Sequence, residues 1–242
     1  MGSTDRDARV AGFLYLLLTL LGLFALEYVP SALFVTGNAA ATAHNIVTHE
    51  MLFRLAIVSE LAAIVLELFV ALALYRLFKS VDRTQALLLV ILGGLIPVPL
   101  YFLNALNYVA ALILVRGADF LAIFSAPQRD ALAMLFLRLH HYELLASFIF
   151  AGLWLFPFGI LVFKSGFLPR ILGIWLVVNG LAYLVITVTG FLLPQYSDAV
   201  GNVTSPILFG EIAIMLWLLV MGARQKRPEI MATNARQRFD QP

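Results

Sequence analysis

The chain has no cysteine. That excludes disulfides, thiolate nucleophiles and Cys-ligated zinc or iron–sulfur centres. It has little charge: Asp, Glu, Lys and Arg make up 12% of its 242 residues, against about 25% in soluble domains. It has no His-Glu-x-x-His run, so the specific zinc-hydrolase signature is missing. No polar stretch between its apolar runs is long enough for a water-soluble domain. A pI near 9.0 raises nucleic acid as a partner. The placement of the basic residues argues against it, because they cluster between apolar runs and in the tails, which is topology signalling.

What the chain has instead is apolar length. Hydrophobic residues make up 62%, and the mean hydropathy is +0.95. Six apolar helical segments can be drawn, over about 8–30, 49–79, 84–115, 129–164, 169–193 and 203–223. Each meets the ~20 residues a helix needs to cross a bilayer. The expected fold class is all-α: a single six-helix transmembrane bundle over 1–223, followed by a basic cytoplasmic tail over 224–242. The first segment reads as a retained span rather than a signal peptide. Its apolar run Val10–Leu26 exceeds the usual h-region of about 7–15 residues, and Asp5 and Asp7 offset Arg6 and Arg9.

Orientation comes from the basic residues. With the N-terminus inside, twelve of the sixteen Lys and Arg fall on the cytoplasmic side. Arg54, Arg116, Arg129 and Arg138 fall on the other. This bias predicts both termini cytoplasmic. Residues 79–83 and 165–169 make short inner turns. Residues 31–48 hold a short surface helix starting near Asn38, and residues 116–128 an interfacial hairpin. Thr48 is expected to cap the second span.

Against this apolar background, ionisable groups inside the spans stand out. Glu27, Glu60, Glu67, Arg138, His140, His141, Glu143 and Glu211 lie within apolar runs. An ionised group at a bilayer centre costs roughly 2.5–3.5 kcal/mol on insertion scales. Most of these groups share the outer half, with Glu67 deeper. Helical phase groups them further. Glu50 and Arg54 are i, i+4 neighbours. Tyr101, Asn104, Asn107 and Tyr108 form one stripe, and Asn179, Tyr183 and Thr187 another. His140 and Glu143 share a face with Ser147, whereas Arg138 and His141 lie on a different one. Gly93-Gly94 with Pro97 and Pro99 predict a broken or kinked third span lining a cavity.

Five span carboxylates face two arginines. The surplus calls for protons, histidine bridges or a bound cation. The expected ligand- or ion-binding residues are Glu50, Arg54, Glu60, Asn104, Asn107, Arg138, His140, His141, Glu143 and Glu211. Of these, His140, Glu143, Asn104 and Glu211 are expected to line one shared cavity.

Three function classes stay open on the residues. One is a small transporter or ligand-binding protein with a proton- or cation-linked site in the outer half of the bundle. Another is an intramembrane metal-dependent, hydrolase-like enzyme. There His140 and Glu143, helped by His141, His49 and Glu50, would hold a divalent metal. The third is a structural membrane subunit. Haem is not expected, since only the fourth span carries deep histidines, and no nucleotide is expected either. The expected partners are the lipid bilayer and a small cation, proton or small-molecule ligand.

Several ordered segments carry a resemblance. They are Ala8-Arg9-Val10-Ala11-Gly12-Phe13-Leu14-Tyr15, His49-Glu50-Met51-Leu52-Phe53-Arg54, Leu74-Tyr75-Arg76-Leu77-Phe78, Lys164-Ser165-Gly166-Phe167-Leu168-Pro169-Arg170-Ile171-Leu172-Gly173, Gly180-Leu181-Ala182-Tyr183-Leu184 and Leu216-Trp217-Leu218-Leu219. Together they resemble a bacterial membrane family catalogued as domain of unknown function 4386. The resemblance implies a polytopic bacterial membrane protein, and the expected location is the inner membrane. The resemblance implies no activity and assigns no functional residues.

Overall fold

A computed structural model describes residues 3–223. The basic tail expected over 224–242 lies outside the described residues. The described residues form helices and connecting turns, with no strand among them. Six helices are long and apolar enough to cross a membrane. They are α1 (Thr4–Leu33), α3 (Glu50–Phe78), α4 (Arg83–Arg116), α5 (Ala126–Ser165), α6 (Arg170–Leu192) and α7 (Pro194–Met221). A short helix, α2 (Ala39–Thr48), lies between the first two. This is the architecture of a multi-pass membrane protein.

Local chemistry explains most boundaries. Asn38 caps α2, its side chain accepting from Ala41 N at 2.9 Å. Thr48, expected as the cap of α3, instead ends α2. Only His49 separates the two helices, so His49 takes the cap position, without a side-chain cap bond. Ser125 and Gln128 form a capping box at the start of α5. Gly166, with φ of 70°, ends α5 in the left-handed conformation that glycine adopts without steric cost. The last span starts earlier than its apolar run, because Pro194–Tyr196 forms a short 3-10 turn leading into it.

Prolines leave a mark on the backbone. Phe24–Tyr28, just before Pro30, and Ile91–Leu95, just before Pro97, are π-helical. A proline has no N–H, and its ring crowds the carbonyl of the preceding turn. The turn widens, and Ile96 N bonds to Ile91 O at 3.0 Å. The third span is therefore bulged rather than broken. Pro157 sits inside α5, which runs continuously for 40 residues.

Side chains separate into two apolar clusters. One gathers near the helix ends that bear Lys79, Arg83, Lys164 and Arg170, here called the basic end. It contains Leu74, Phe78, Leu89, Phe158, Leu161 and Leu176. The other, toward the far end, contains Val29, Leu33, Phe53, Ala111 and Leu137 around Tyr108. On α3, α4 and α5 the stretch between the clusters is where Glu60, Glu67, Asn104 and His140 fall. The polar residues thus form a layer between two dry plugs. Outward faces are apolar. On α6, Ile171, Ile174, Val178, Leu181, Val185 and Val188 are exposed at three- and four-residue spacing, a lipid-facing stripe.

At the basic end, Asp82 caps α4 by accepting from Gln85 N at 3.1 Å, and it receives Lys164 Nζ at 2.9 Å. The Lys164 ammonium first, and the Gln85 N–H second, hold its carboxyl below the ordinary aspartate range. A carboxyl whose folded-state pKa lies below its unfolded value of about 3.9 contributes stability that is present above that value. The contribution is lost as pH falls through the folded pKa. Asp82→Ala should therefore lower the melting temperature slightly at pH 7. The gap to wild type should close as pH falls below about 4. A gap that persists unchanged at pH 2 would show that the Lys164 contact carries none of the effect.

Candidate functional site

The polar layer is organised around His140 on α5. Its Nε2 meets Glu60 Oε1 of α3 at 2.9 Å, and both side chains are buried. Tyr108 of α4 stacks on the imidazole, with ring centroids 3.7 Å apart and planes 15° apart. Phe53 packs on Tyr108 in turn. The far-end cluster thereby seals one side of the Glu60–His140 pair. Asn104 of α4 donates to the His140 main-chain carbonyl at 3.1 Å. Asn107 donates both to Asn104 Oδ1, at 3.1 Å, and to Glu143 Oε2, at 3.3 Å. Glu60, His140, Asn104, Asn107 and Glu143 therefore form one connected network across three helices.

On its other side Glu60 faces a cavity of about 150 Å³. Leu18, Gly22, Leu26, Ala63, Ile64, Glu67, Tyr101, Asn104 and Leu144 complete the wall. A second cavity of about 100 Å³ adjoins it and shares Leu18, Glu67 and Tyr101. Its other walls include Tyr15, Phe150, Trp154 and Glu211. There the hydroxyl of Tyr15 donates to Glu211 Oε2, and Tyr183 hydrogen-bonds the same carboxyl. Tyr101 meets Ser147. No Lys or Arg lines either cavity. Among the described residues, Glu60, Glu67 and Glu211 form no ion pair with Lys or Arg. Of their oxygens, Glu60 Oε2 is buried with no hydrogen-bond partner.

The chain matches the family described as Domain of unknown function (DUF4386) over residues 10–222. It belongs to the DUF4386 family. It is also similar to an uncharacterised protein of Archaeoglobus fulgidus, 31% identical over 147 residues, which cover 60% of this chain and 85% of that one. No solved structure matches the chain.

In this DUF4386 member the residues expected from depth and phase divide into three groups. Glu60, Asn104, Asn107, His140 and Glu143 come together as described. Of the four expected to line one shared cavity, His140 and Glu143 line neither, Asn104 lines the first, and Glu211 does not join it there. It lies in the second, with Glu67 and Tyr101 forming the common wall. Glu50, Arg54, Arg138 and His141 stand apart. Arg54 Nε donates to Glu50 Oε1 at 2.6 Å, and Arg116 reaches the same oxygen at 3.1 Å. This cluster lies at the far end of the bundle and is half-exposed. Arg138 and His141 are exposed on the opposite face of α5, with His141 edge-on to Tyr142. Among the described residues no three of His, Asp and Glu gather as a metal site. In the His140–Glu143 fragment, His140 is engaged by Glu60 and Glu143 by Asn107.

The α6 stripe supports its neighbours. Asn179 donates to Leu208 O and Trp175 to Ile207 O, both next to Pro206 of α7. Thr187 donates to Leu145 O of α5. These side chains hold backbone in place, and of the stripe only Tyr183 reaches a cavity carboxyl. Reasoning from the sequence placed no site role on Tyr15 or Glu67. Glu67 carried a usable signal, since it lies two turns from Glu60 on one face of α3. Tyr15 carried none, being a lone tyrosine in an apolar run. A larger groove of about 300 Å³ between α5 and α6 has apolar walls apart from Lys164. It offers packing space for lipid and no chemistry.

Proposed function

We propose that this protein is a small transporter or ligand-binding protein of a bacterial inner membrane, with a proton- or cation-linked site in the paired cavities. One observation carries the reading: Glu60, Glu67 and Glu211 wall two adjoining cavities that no Lys or Arg enters. Ionised carboxylates in such surroundings are costly. His140 offsets one of them, and protons or a cation offset the rest. A structural subunit has no use for this surplus. Reconstitution into liposomes loaded with a pH-sensitive dye tests the reading, with imposed proton, Na⁺ and K⁺ gradients. Flux above empty liposomes, or cation-dependent thermal stabilisation of the purified protein, is expected, and Glu211→Gln should reduce it. Failure of both, in every gradient, would overturn the reading.

The orientation belongs to the same proposal. The basic end, with Arg76, Lys79, Arg83, Lys164 and Arg170, faces the cytoplasm, as do both termini. Residues 1–223 then make one transmembrane domain, and 224–242 a basic cytoplasmic tail. Reporter fusions at residues 40 and 122 should read as external, and one at residue 242 as internal. A cytoplasmic signal at residue 40 would reverse the topology.

A further inference from the structure

We propose that the two cavities form one binding site for a small organic ammonium ion, its charged nitrogen held between Glu60 and Glu67. The proposal rests on the cation-linked reading above and names the class of cation.

The demand for a donor is local. Glu60 is only 6% exposed. Its Oε1 is engaged by His140, while its Oε2 has no hydrogen-bond partner and borders the first cavity. A buried acceptor left unmade is costly, so a donor arriving through the cavity gains that energy back. Glu67 lies two turns along the same face of α3, about 10 Å in axial rise. It borders both cavities and makes no hydrogen bond among the described residues. Glu211 differs, because Tyr15 and Tyr183 already serve it. The two carboxylates that still need a donor are therefore Glu60 and Glu67, and an ammonium group supplies several N–H donors and a compensating charge at once.

The walls select among cations. A hard metal ion takes about six to eight oxygen ligands. The first cavity offers side-chain oxygens from Glu60, Glu67, Tyr101 and Asn104, and the rest of its wall is carbon from Leu18, Leu26, Ala63, Ile64 and Leu144. With Glu60 Oε1 taken by His140 and Asn104 Oδ1 by Asn107, four of those oxygens are left, too few for a metal cage, while the carbon wall is a good surface for an alkyl chain. The second cavity adds the rings of Tyr15, Tyr101, Phe150 and Trp154. Aromatic faces attract ammonium groups, most strongly where water is excluded. Volumes of about 150 and 100 Å³ suit a monoamine of a few carbons. An anion would meet three carboxylates and no Lys or Arg.

The test uses the full chain purified in detergent, titrated with n-propylammonium chloride. NaCl and KCl at matched ionic strength and 1-propanol serve as comparisons, read by thermal unfolding and calorimetry. Propylammonium should give saturable stabilisation that neither salt nor the alcohol reproduces. Glu67→Gln should weaken its apparent Kd at least about tenfold, since a charge-assisted contact is lost. Glu27→Gln, on an exposed position of α1, should leave it unchanged. Glu67 makes no hydrogen bond, so this isosteric variant keeps the fold even where a Glu60 variant does not, and a cooperative unliganded melt checks that. Equal stabilisation by Na⁺ or K⁺ would overturn the amine class and leave the cation-linked reading standing. Propylammonium binding that is identical in wild type and Glu67→Gln would overturn the placement. No response to any cation, together with no flux in liposomes, would remove both readings.

Discussion

His140→Ala should destabilise the bundle by about 3–5 kcal/mol if its contact with Glu60 is a charged pair, the cost of leaving one such buried group without its partner. For a chain of this size that is a fall of about 6–20 °C in melting temperature. The variant strands Glu60 with both oxygens unmade and removes the ring that Tyr108 stacks on. It also leaves Asn104 in place, because Asn104 bonds the backbone carbonyl of residue 140 rather than its side chain. The loss should therefore come from the carboxyl and the stack. The double variant Glu60→Leu/His140→Leu separates the two causes. Replacing a buried pair by apolar residues is often neutral or stabilising, so the double variant should melt well above His140→Ala. If His140→Ala costs less than about 1 kcal/mol, the contact is not a charged pair.

The fold was open to reading because its main determinant is additive. A run of some twenty apolar residues is sufficient for a span whatever its order, and prolines, glycines and caps punctuate it locally. Hence α3 and α6 begin and end within two residues of the apolar runs. Errors arose where a junction depends on the neighbouring helix. Thr48 is a good cap by chemistry, but α2 runs into α3 with one residue between them, and no extended position is left for Thr48 to occupy.

Within the site, helical phase was informative and partner choice was not. A step of about 100° per residue put Arg138 and His141 on a different face from His140, and they are exposed where His140 is buried. The same step put Asn104 and Asn107 on one stripe, where they bond to each other. Spacing along one helix, however, cannot say which helix comes opposite. His140 and Glu143 share a face, yet one turns to Glu60 and the other to Asn107. Depth was the weaker guide. An α5 of 40 residues spans about 60 Å, about twice the hydrocarbon thickness. Residues at equal distance from the helix ends therefore do not share a level, and Glu67, read as lying below the layer, joins its two cavities.

Gly159→Val should be among the most damaging changes away from the polar layer, and the reason is backbone. A Cβ at Gly159 would lie 2.6 Å from Gly173 O, and one at Gly173 would lie 2.6 Å from Gly159 O. One layer up, Gly152 and Gly180 repeat the arrangement at 2.7 and 2.8 Å. The two glycines on each helix are seven residues apart, so α5 and α6 meet along two reciprocal contacts of the small-residue kind that lets membrane helices approach closely. A carbonyl cannot rotate away as a flexible side chain can, so the helices must separate. Overpacking costs 1–3 kcal/mol or more, and a rigid obstacle puts this case near about 3 kcal/mol. That predicts a fall of about 6–12 °C in melting temperature. The consequence reaches the site, because α6 places Tyr183 on Glu211 and Thr187 on the α5 carbonyl of Leu145. Gly22→Val is the control, since a Cβ there meets nothing within 4 Å. Gly22 is also in the first cavity wall, so its variant should keep the melting temperature while narrowing that cavity. A Gly159→Val protein that melts with wild type would show that α5 and α6 are held by their flanking side chains and not by the glycine contact.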